Sequence, residues 1–189
     1  MAQERGTEQK SVRYIGSPVG EIGIAEDGKG ISDLFFSGEG KLPGAKEQDT
    51  ALLDKAAAQL GEYFSGKRLR FDLPLSLTGT DFQTSVWKAL LEIPYGKTCS
   101  YKDVAEKIGS PKAFRAVGMA NHRNPVSIIV PCHRVIGQDG SLVGYGGGLP
   151  VKDFLLRLER RYVMYREMHI IEDEPGKATD IVDVDKEIW

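Results

Sequence analysis

Two neighbouring residues in the chain carry types that do covalent chemistry: Cys132 and His133, in the segment "PCHRV" and preceded by the apolar run "SIIV". A cysteine beside a histidine can be a buried inert thiol, half of a metal site, or a nucleophile with its base. Only the thiolate attacks, and a thiol with a pKa near ~8.5 is a few per cent ionised at neutral pH. A nucleophilic role therefore demands a base or a positive field close by. The apolar run reads as strand-like, and successive strand residues face opposite ways, so His133 would act on Cys132 through a bridging water. Its imidazole then needs an orienting acceptor. Glu159, in the last helical stretch, is a carboxylate of the right kind.

Composition narrows the choice. The chain has 189 residues with only two cysteines, Cys99 and Cys132, and three scattered histidines, His122, His133 and His169. That set is too sparse for a disulfide framework and leaves few ligands for zinc, so no metal and no cofactor are expected. A hydrophobic fraction of 41% beside 28% charged residues suits a globular protein with a real core. The opening "MAQERGTEQK" has no apolar leader and no run is long enough to span a bilayer. A cytoplasmic, monomeric protein with no membrane partner is expected. The net charge of −2 gives no overall pull toward nucleic acid. Its distribution is uneven: between Asp81 and Asn124, seven basic and four acidic residues leave +3, whereas the tail from Arg166 is acidic.

The elements that must position these residues follow from patterning. Residues 12–37 hold three short β-prone stretches separated by "SPVG" and "EDGKG", which predicts a small antiparallel meander. "DTALLDKAAAQLGEYFSG" switches to helical spacing, with Leu52, Leu53, Ala56, Leu60 and Phe64 on one face. "KRLRFDLPLSLTGT" reads as a strand and a linker. "TDFQTSVWKALLEI" is a helix capped by Thr80 or Asp81. In "SYKDVAEKIGSP", Ser100 and Asp103 form a capping-box variant, and "KAFRAVGMANH" is a second short helix after a Gly-Ser-Pro turn. Two short helices joined this tightly are the helix-turn-helix pattern. A glycine-dense loop, "IGQDGSLVGYGGGLP", and an amphipathic helix from Val151 close the ordered part. The fold class is therefore α/β (α+β): residues 1–79 a small antiparallel sheet with a helix, residues 80–165 a helical, winged-helix-like domain with a helix-turn-helix, and residues 166–189 an acidic tail.

"PCHRV", with "RAVGMANHRNP" before it and "GYGGGLPVKDFLLRLE" after it, resembles the active-site block of the O6-alkylguanine-DNA alkyltransferases. The likeness runs in detail from Asp81 to Arg160, and the earlier part fits by architecture. It implies that Cys132 accepts an alkyl group, His133 is the water-linked base and Glu159 orients it. It implies that Asn124 ties the recognition helix to the active-site turn, and that Tyr101 protonates the guanine leaving group and holds the backbone during flipping. Arg115 matches an arginine that fills the hole left by the flipped base. Ala113, Ala116 and Gly118 match small residues that face the minor groove. Val135, Tyr145 and Gly146 match positions around the flipped base. Phe114 departs from a familiar alanine, Gly146 from a serine, and Cys99 from an aliphatic residue.

Physical chemistry agrees with these implied roles. The alkylated oxygen lies inside the base stack, so the nucleotide must be rotated out before a thiolate can reach it. A helix of small residues can approach a minor groove closely, and an arginine can occupy the vacated space. A thioether has no hydrolytic exit, so the expected function is one-time transfer of a methyl or larger alkyl group from O6-alkylguanine, with O4-alkylthymine as a second candidate substrate, in double-stranded DNA to Cys132. Two rivals stand beside it. A non-enzymatic alkyltransferase-like protein would recognise the lesion without a cysteine acceptor, and a cysteine hydrolase would need an oxyanion hole and direct Cys-His geometry.

Overall fold

The computed structural model describes residues 9–36, 38 and 41–169. Strands β1 (Ser11–Ser17) and β2 (Gly20–Glu26) form an antiparallel hairpin with Ser17 opposite Gly20. β2 pairs antiparallel with β3 (Ile31–Phe36), which completes the expected meander. A two-residue strand, β4 (Lys46–Glu47), adds in parallel to the free edge of β1, giving the order β3-β2-β1-β4. Ile22, Ile24, Leu34 and Phe36 are buried, and α1 (Ala51–Phe64) packs on the sheet. Thr50 caps α1 by accepting from the Leu53 amide. The buried face of α1 is Leu53, Ala56, Gln59, Leu60 and Tyr63, while Leu52 and Phe64, assigned inward from the sequence, are only half-buried.

The segment after α1 is not the strand its apolar residues suggested. Its backbone bonds go elsewhere: the Asp72 amide donates to Gln59 Oε1, Gln59 Nε2 donates to the Asp72 carbonyl, and Leu75 makes an isolated bridge to Ile31. A buried glutamine thus takes up the hydrogen bonds that a neighbouring strand would have made.

The second half is built around α2 (Asp81–Leu91), which opens on a Thr80–Gln83 capping box. Trp87, 2% exposed, donates its indole N–H to the Ala120 carbonyl at 2.9 Å and so fixes α2 against α4 (Phe114–His122). β5 (Cys99–Ser100) leads into α3 (Tyr101–Lys107), where the Ser100–Asp103 box forms as the sequence predicted. α3 and α4 are the helix-turn-helix. β6 (Val135–Ile136) pairs in parallel with β5, and α5 (Leu149–His169) follows the glycine-dense loop. One apolar cluster joins the sheet, α1, α2, α4 and α5. Residues 170–189, including the β-like "DIVDVD" alternation, lie outside the described residues. Among the described residues no helix is long and apolar enough to cross a membrane.

Candidate active site

The run before Cys132 is not a strand. Only Val126 pairs, as a bridge to Leu34 of β3, and the chain then folds through successive tight turns. The Ile129 amide donates to the Ser127 carbonyl across Ile128, whose φ is 69°, and the Cys132 amide donates to the Val130 carbonyl across Pro131, both at 2.8 Å. Cys132–Arg134 is a single 3-10 turn. A β-branched residue in the left-handed region costs on the order of 1–3 kcal/mol and persists only where its surroundings over-determine it. Here they do. Ile128 is 1% exposed, and β3 grips the segment through Leu34 N to Pro125 O (2.8 Å) and Ser127 N to Leu34 O (3.2 Å). Asn124 completes the clamp: Nδ2 donates to the Val130 carbonyl at 2.8 Å and to Cys132 Sγ at 3.0 Å, while Oδ1 accepts from the Val126 amide at 3.1 Å.

The same turn sends His133 into the interior, where Nε2 meets Glu159 Oε1 at 2.8 Å. Glu159 is fully buried and gathers four groups: His133, the Tyr63 hydroxyl (2.8 Å), the Gly96 amide (2.9 Å) and the Arg134 guanidinium (2.9 Å to each oxygen). Arg134 also donates to the Ile93 carbonyl at 2.7 Å. Gly96 is required there, because its φ is 72° and a Cβ would meet Val163 at 2.6 Å. Burial alone would raise the Glu159 carboxyl, but the hydrogen bonds and charges of His133 and Arg134 hold it at about 2. Burial lowers the His133 pKa, against the opposing pull of Glu159, so the imidazole is neutral at pH 7. An ionised carboxylate only accepts, which places the ring proton on Nε2. Nδ1, buried and without a partner among the described residues, is left as the basic nitrogen.

Burial also raises the Cys132 thiol, and the Asn124 hydrogen bond and the Lys152 charge pull it back only in part. The resting thiol is therefore protonated. Lys152 is itself fully buried, donating to the carbonyls of Val135 and Val143 at 2.7 Å each, and burial lowers its pKa to about 8.

Cys132 opens onto a cavity of about 330 Å³, with Tyr101, Phe114, Gly118, Asn121 and Tyr145 among its walls. The Tyr101 hydroxyl donates to the Val143 carbonyl at 3.1 Å and so holds the glycine-dense loop to α3; burial, then the nearby Cys132, raises the Tyr101 pKa. Other sequence-assigned residues fall elsewhere. Val135 is fully buried and does not line this cavity. Gly146 borders a second cavity of about 280 Å³ that also reaches Cys132 and Asn124. Ala116 and Arg115 are exposed on α4 and Ala113 is its half-buried N-cap; the Arg115 guanidinium lies 5.9 Å from the Phe114 ring centre. Among the described residues no cluster of three metal-binding side chains occurs.

Sequence reasoning missed Tyr63, Asn121, Arg134 and Lys152. A signal existed for three of them. Lys152 and Glu159 share one face of α5 with Leu155 at spacings of three and four, so two charged residues sit in its apolar stripe. Tyr63 follows Leu60 by three on the buried face of α1. Asn121 follows Val117 by four on the buried face of α4, while Arg134 gave no such sign, because its burial depends on partners far along the chain.

A helix-turn-helix whose second helix roofs a cavity floored by a buried, clamped cysteine defines a class of DNA-facing proteins with a reactive thiol. Two family models match: 6-O-methylguanine DNA methyltransferase, DNA binding domain, over residues 81–161, and its ribonuclease-like domain over residues 12–77. The chain belongs to the 6-O-methylguanine DNA methyltransferase family. It is 54% identical over 148 residues to the methylated-DNA–protein-cysteine methyltransferase of Methanosarcina barkeri, covering 77% of this chain and 94% of that protein. It is 48% identical to the constitutive enzyme of that name from Bacillus subtilis, covering 80% and 94%. The crystal structure of Mycobacterium tuberculosis OGT in complex with DNA superposes with a TM-score of 0.77 at 47% identity, covering 80% of this chain and 94% of that one.

Proposed function

We propose that the protein repairs O6-alkylguanine in double-stranded DNA by moving the alkyl group once and irreversibly to Cys132. The observation that carries this reading is a thiol lining a cavity, followed in the same turn by a neutral histidine whose Nδ1 is unpaired and whose Nε2 is fixed by Glu159. The flipped purine enters the cavity beside Tyr101. A water passes the thiol proton to His133 Nδ1, and Sγ attacks the alkyl carbon in line. The S–C bond forms as the C–O6 bond breaks, and the electron pair passes to the purine. Tyr101 leaves the Val143 carbonyl and protonates the purine, then recovers a proton from His133 through water, so thiol and alkylguanine become thioether and guanine. Asn124 and Lys152 stabilise the thiolate while it exists.

The relatives' names and the DNA complex of the mycobacterial structure support duplex DNA as the partner. On this reading the groove face is Ala113, Arg115, Ala116 and Gly118, and Val135 and Gly146 act on the pocket from behind its wall. The residues before about 80 brace the acceptor turn, and those from 80 to 165 meet DNA. The protein works as a cytoplasmic monomer without metal or cofactor. An alkyltransferase-like recognition protein is disfavoured by the retained cysteine, and a hydrolase by the absence of a direct Cys-His contact.

The test is a peptide mass map after incubation with duplex DNA carrying O6-methylguanine. The Cys132 peptide gains one methylene, and the Cys132→Ser protein gains none. Tight lesion binding with Cys132 unmodified would replace this reading with lesion recognition.

A further inference from the structure

One donor to Glu159 comes from the other half of the chain. The Tyr63 hydroxyl, carried by α1 and 96 residues earlier in sequence, donates to Oε1 at 2.8 Å, the same oxygen that faces His133 Nε2. Arg134 Nη2 donates to that oxygen as well, at 2.9 Å, while the Gly96 amide and Arg134 Nε share Oε2 at 2.9 Å each. A carboxylate offers about four lone-pair sites, so these donors compete. Tyr63 is fully buried, and its ring centre lies 5.4, 5.5 and 5.9 Å from those of Phe64, Phe71 and Tyr95. A phenylalanine would fill that space without a hydroxyl to desolvate. Burial, then the Glu159 charge, push the Tyr63 hydroxyl well above the usual tyrosine range, so it stays a donor.

We infer that Tyr63 is a positioning residue that sets how strongly Glu159 holds the His133 ring proton, and through it the basicity of His133 Nδ1. The inference rests on the proposed function, in which His133 accepts the thiol proton. A carboxylate that grips Nε2–H makes the opposite ring nitrogen more basic. A second donor on the same oxygen draws off part of its charge and loosens that grip. Tyr63 thereby keeps His133 neutral at rest and able to return the proton it takes. α1 supplies a group to the proton relay as well as packing behind it. The other groups around the pair do not titrate where a histidine does. Arg134, as an arginine, stays charged. Lys152 loses its charge near 8, Glu159 ionises at about 2, and burial raises Cys132 and Tyr95. The Tyr145 ring meets His133 edge-on, with centres 6.3 Å apart.

The test is the pH profile of single-turnover Cys132 methylation by an O6-methylguanine duplex, from about pH 5 to pH 8, the span in which histidine titrates. The rate falls on the acid side as His133 takes up a proton. In Tyr63→Phe this limb is expected to move up by about one pH unit, since Glu159 then pulls harder on the ring proton. A protein with 3-fluorotyrosine at position 63 carries a stronger donor of nearly the same shape. Its limb moves down, a readout that survives even where Tyr63→Phe does not fold. A limb that stays in place in both proteins, or moves the opposite way, overturns the inference. Chemical-shift titration of the His133 ring without DNA reads the same displacement. If the wild type is not methylated at all, the proposed function fails, and the ring titration still decides the role of Tyr63.

Discussion

The two sides of Cys132 are built on opposite plans. On the inner side the groups bearing on the chemistry are bonded, save the basic Nδ1 of His133: Glu159 holds four partners, Lys152 closes on two carbonyls at 2.7 Å, and Asn124 spends both ends of its amide on the acceptor turn. On the outer side bonds are left unmade. Phe114 and Val143 are 46% and 49% exposed at the cavity rim, Arg115 points off α4 against the Phe114 ring, and the Asn121 amide is unpaired. The difference separates two tasks. The inner side is preorganised, so little reorganisation is needed when the thiol ionises. The outer side is left open to a partner, and it is burial that keeps the resting thiol protonated.

The largest effect is expected from breaking the inner side at its hub. Glu159→Gln leaves Arg134 buried without its counter-charge, and loss of one member of a buried pair costs about 3–5 kcal/mol, read as a fall in the denaturation midpoint. The pH dependence carries the same sign. The Glu159 carboxyl lies at about 2 in the folded chain against 4.5 for the free group, so its stabilisation is complete above 4.5 and is lost as pH falls toward 2. The variant should lose that part of the acid slope. An unchanged midpoint would mean that the inner side is not built around this carboxylate.

A smaller effect is expected at Lys152, the link between the inner side and the loop that borders the cavity. Lys152→Met orphans the carbonyls of Val135 and Val143 in part, a penalty of about 2 kcal/mol, and the rate of alkyl transfer falls with it. A purely structural role would leave the pH profile alone. The wild-type rate should instead change near pH 8, where Lys152 loses its charge, and the variant should show no inflection there.

The smallest effect on the fold, and the one that best sharpens the contrast, is at Arg115. Arg115→Ala should leave stability within about 0.5 kcal/mol of the wild type, as exposed substitutions usually do. On the proposal that Arg115 fills the stack opened by flipping, it should slow transfer from duplex DNA by about tenfold. Reaction with the free base O6-methylguanine needs no flipping and should be unchanged. Equal slowing with both substrates would place Arg115 on the inner, chemical side.

Much of this was legible before any coordinates. The Thr80 and Ser100 caps, the meander and the helix-turn-helix follow from local pattern, and Cys132, His133 and Glu159 stood in one recognisable block. The acceptor turn was not legible. "SIIV" is β-prone by composition, yet its backbone bonds go to local turns, and Ile128 is held at φ 69° by β3, almost a hundred residues earlier. The hub was half legible. Glu159 was assigned to His133, but Tyr63 and Arg134 join it through contacts 96 and 25 residues apart in sequence, beyond any periodic signal. Long-range polar partners, rather than helix or strand type, are what the sequence concealed.

The central claim is that the resting thiol is spent once, with no route back from the thioether. Titration of the protein with excess O6-methylguanine duplex, counting methyl groups per chain by intact mass, tests it most directly. The account predicts a plateau at one methyl per chain, on Cys132, with no further repair of the remaining lesion. Continued repair beyond one equivalent, with the mass of the protein unchanged, would contradict it.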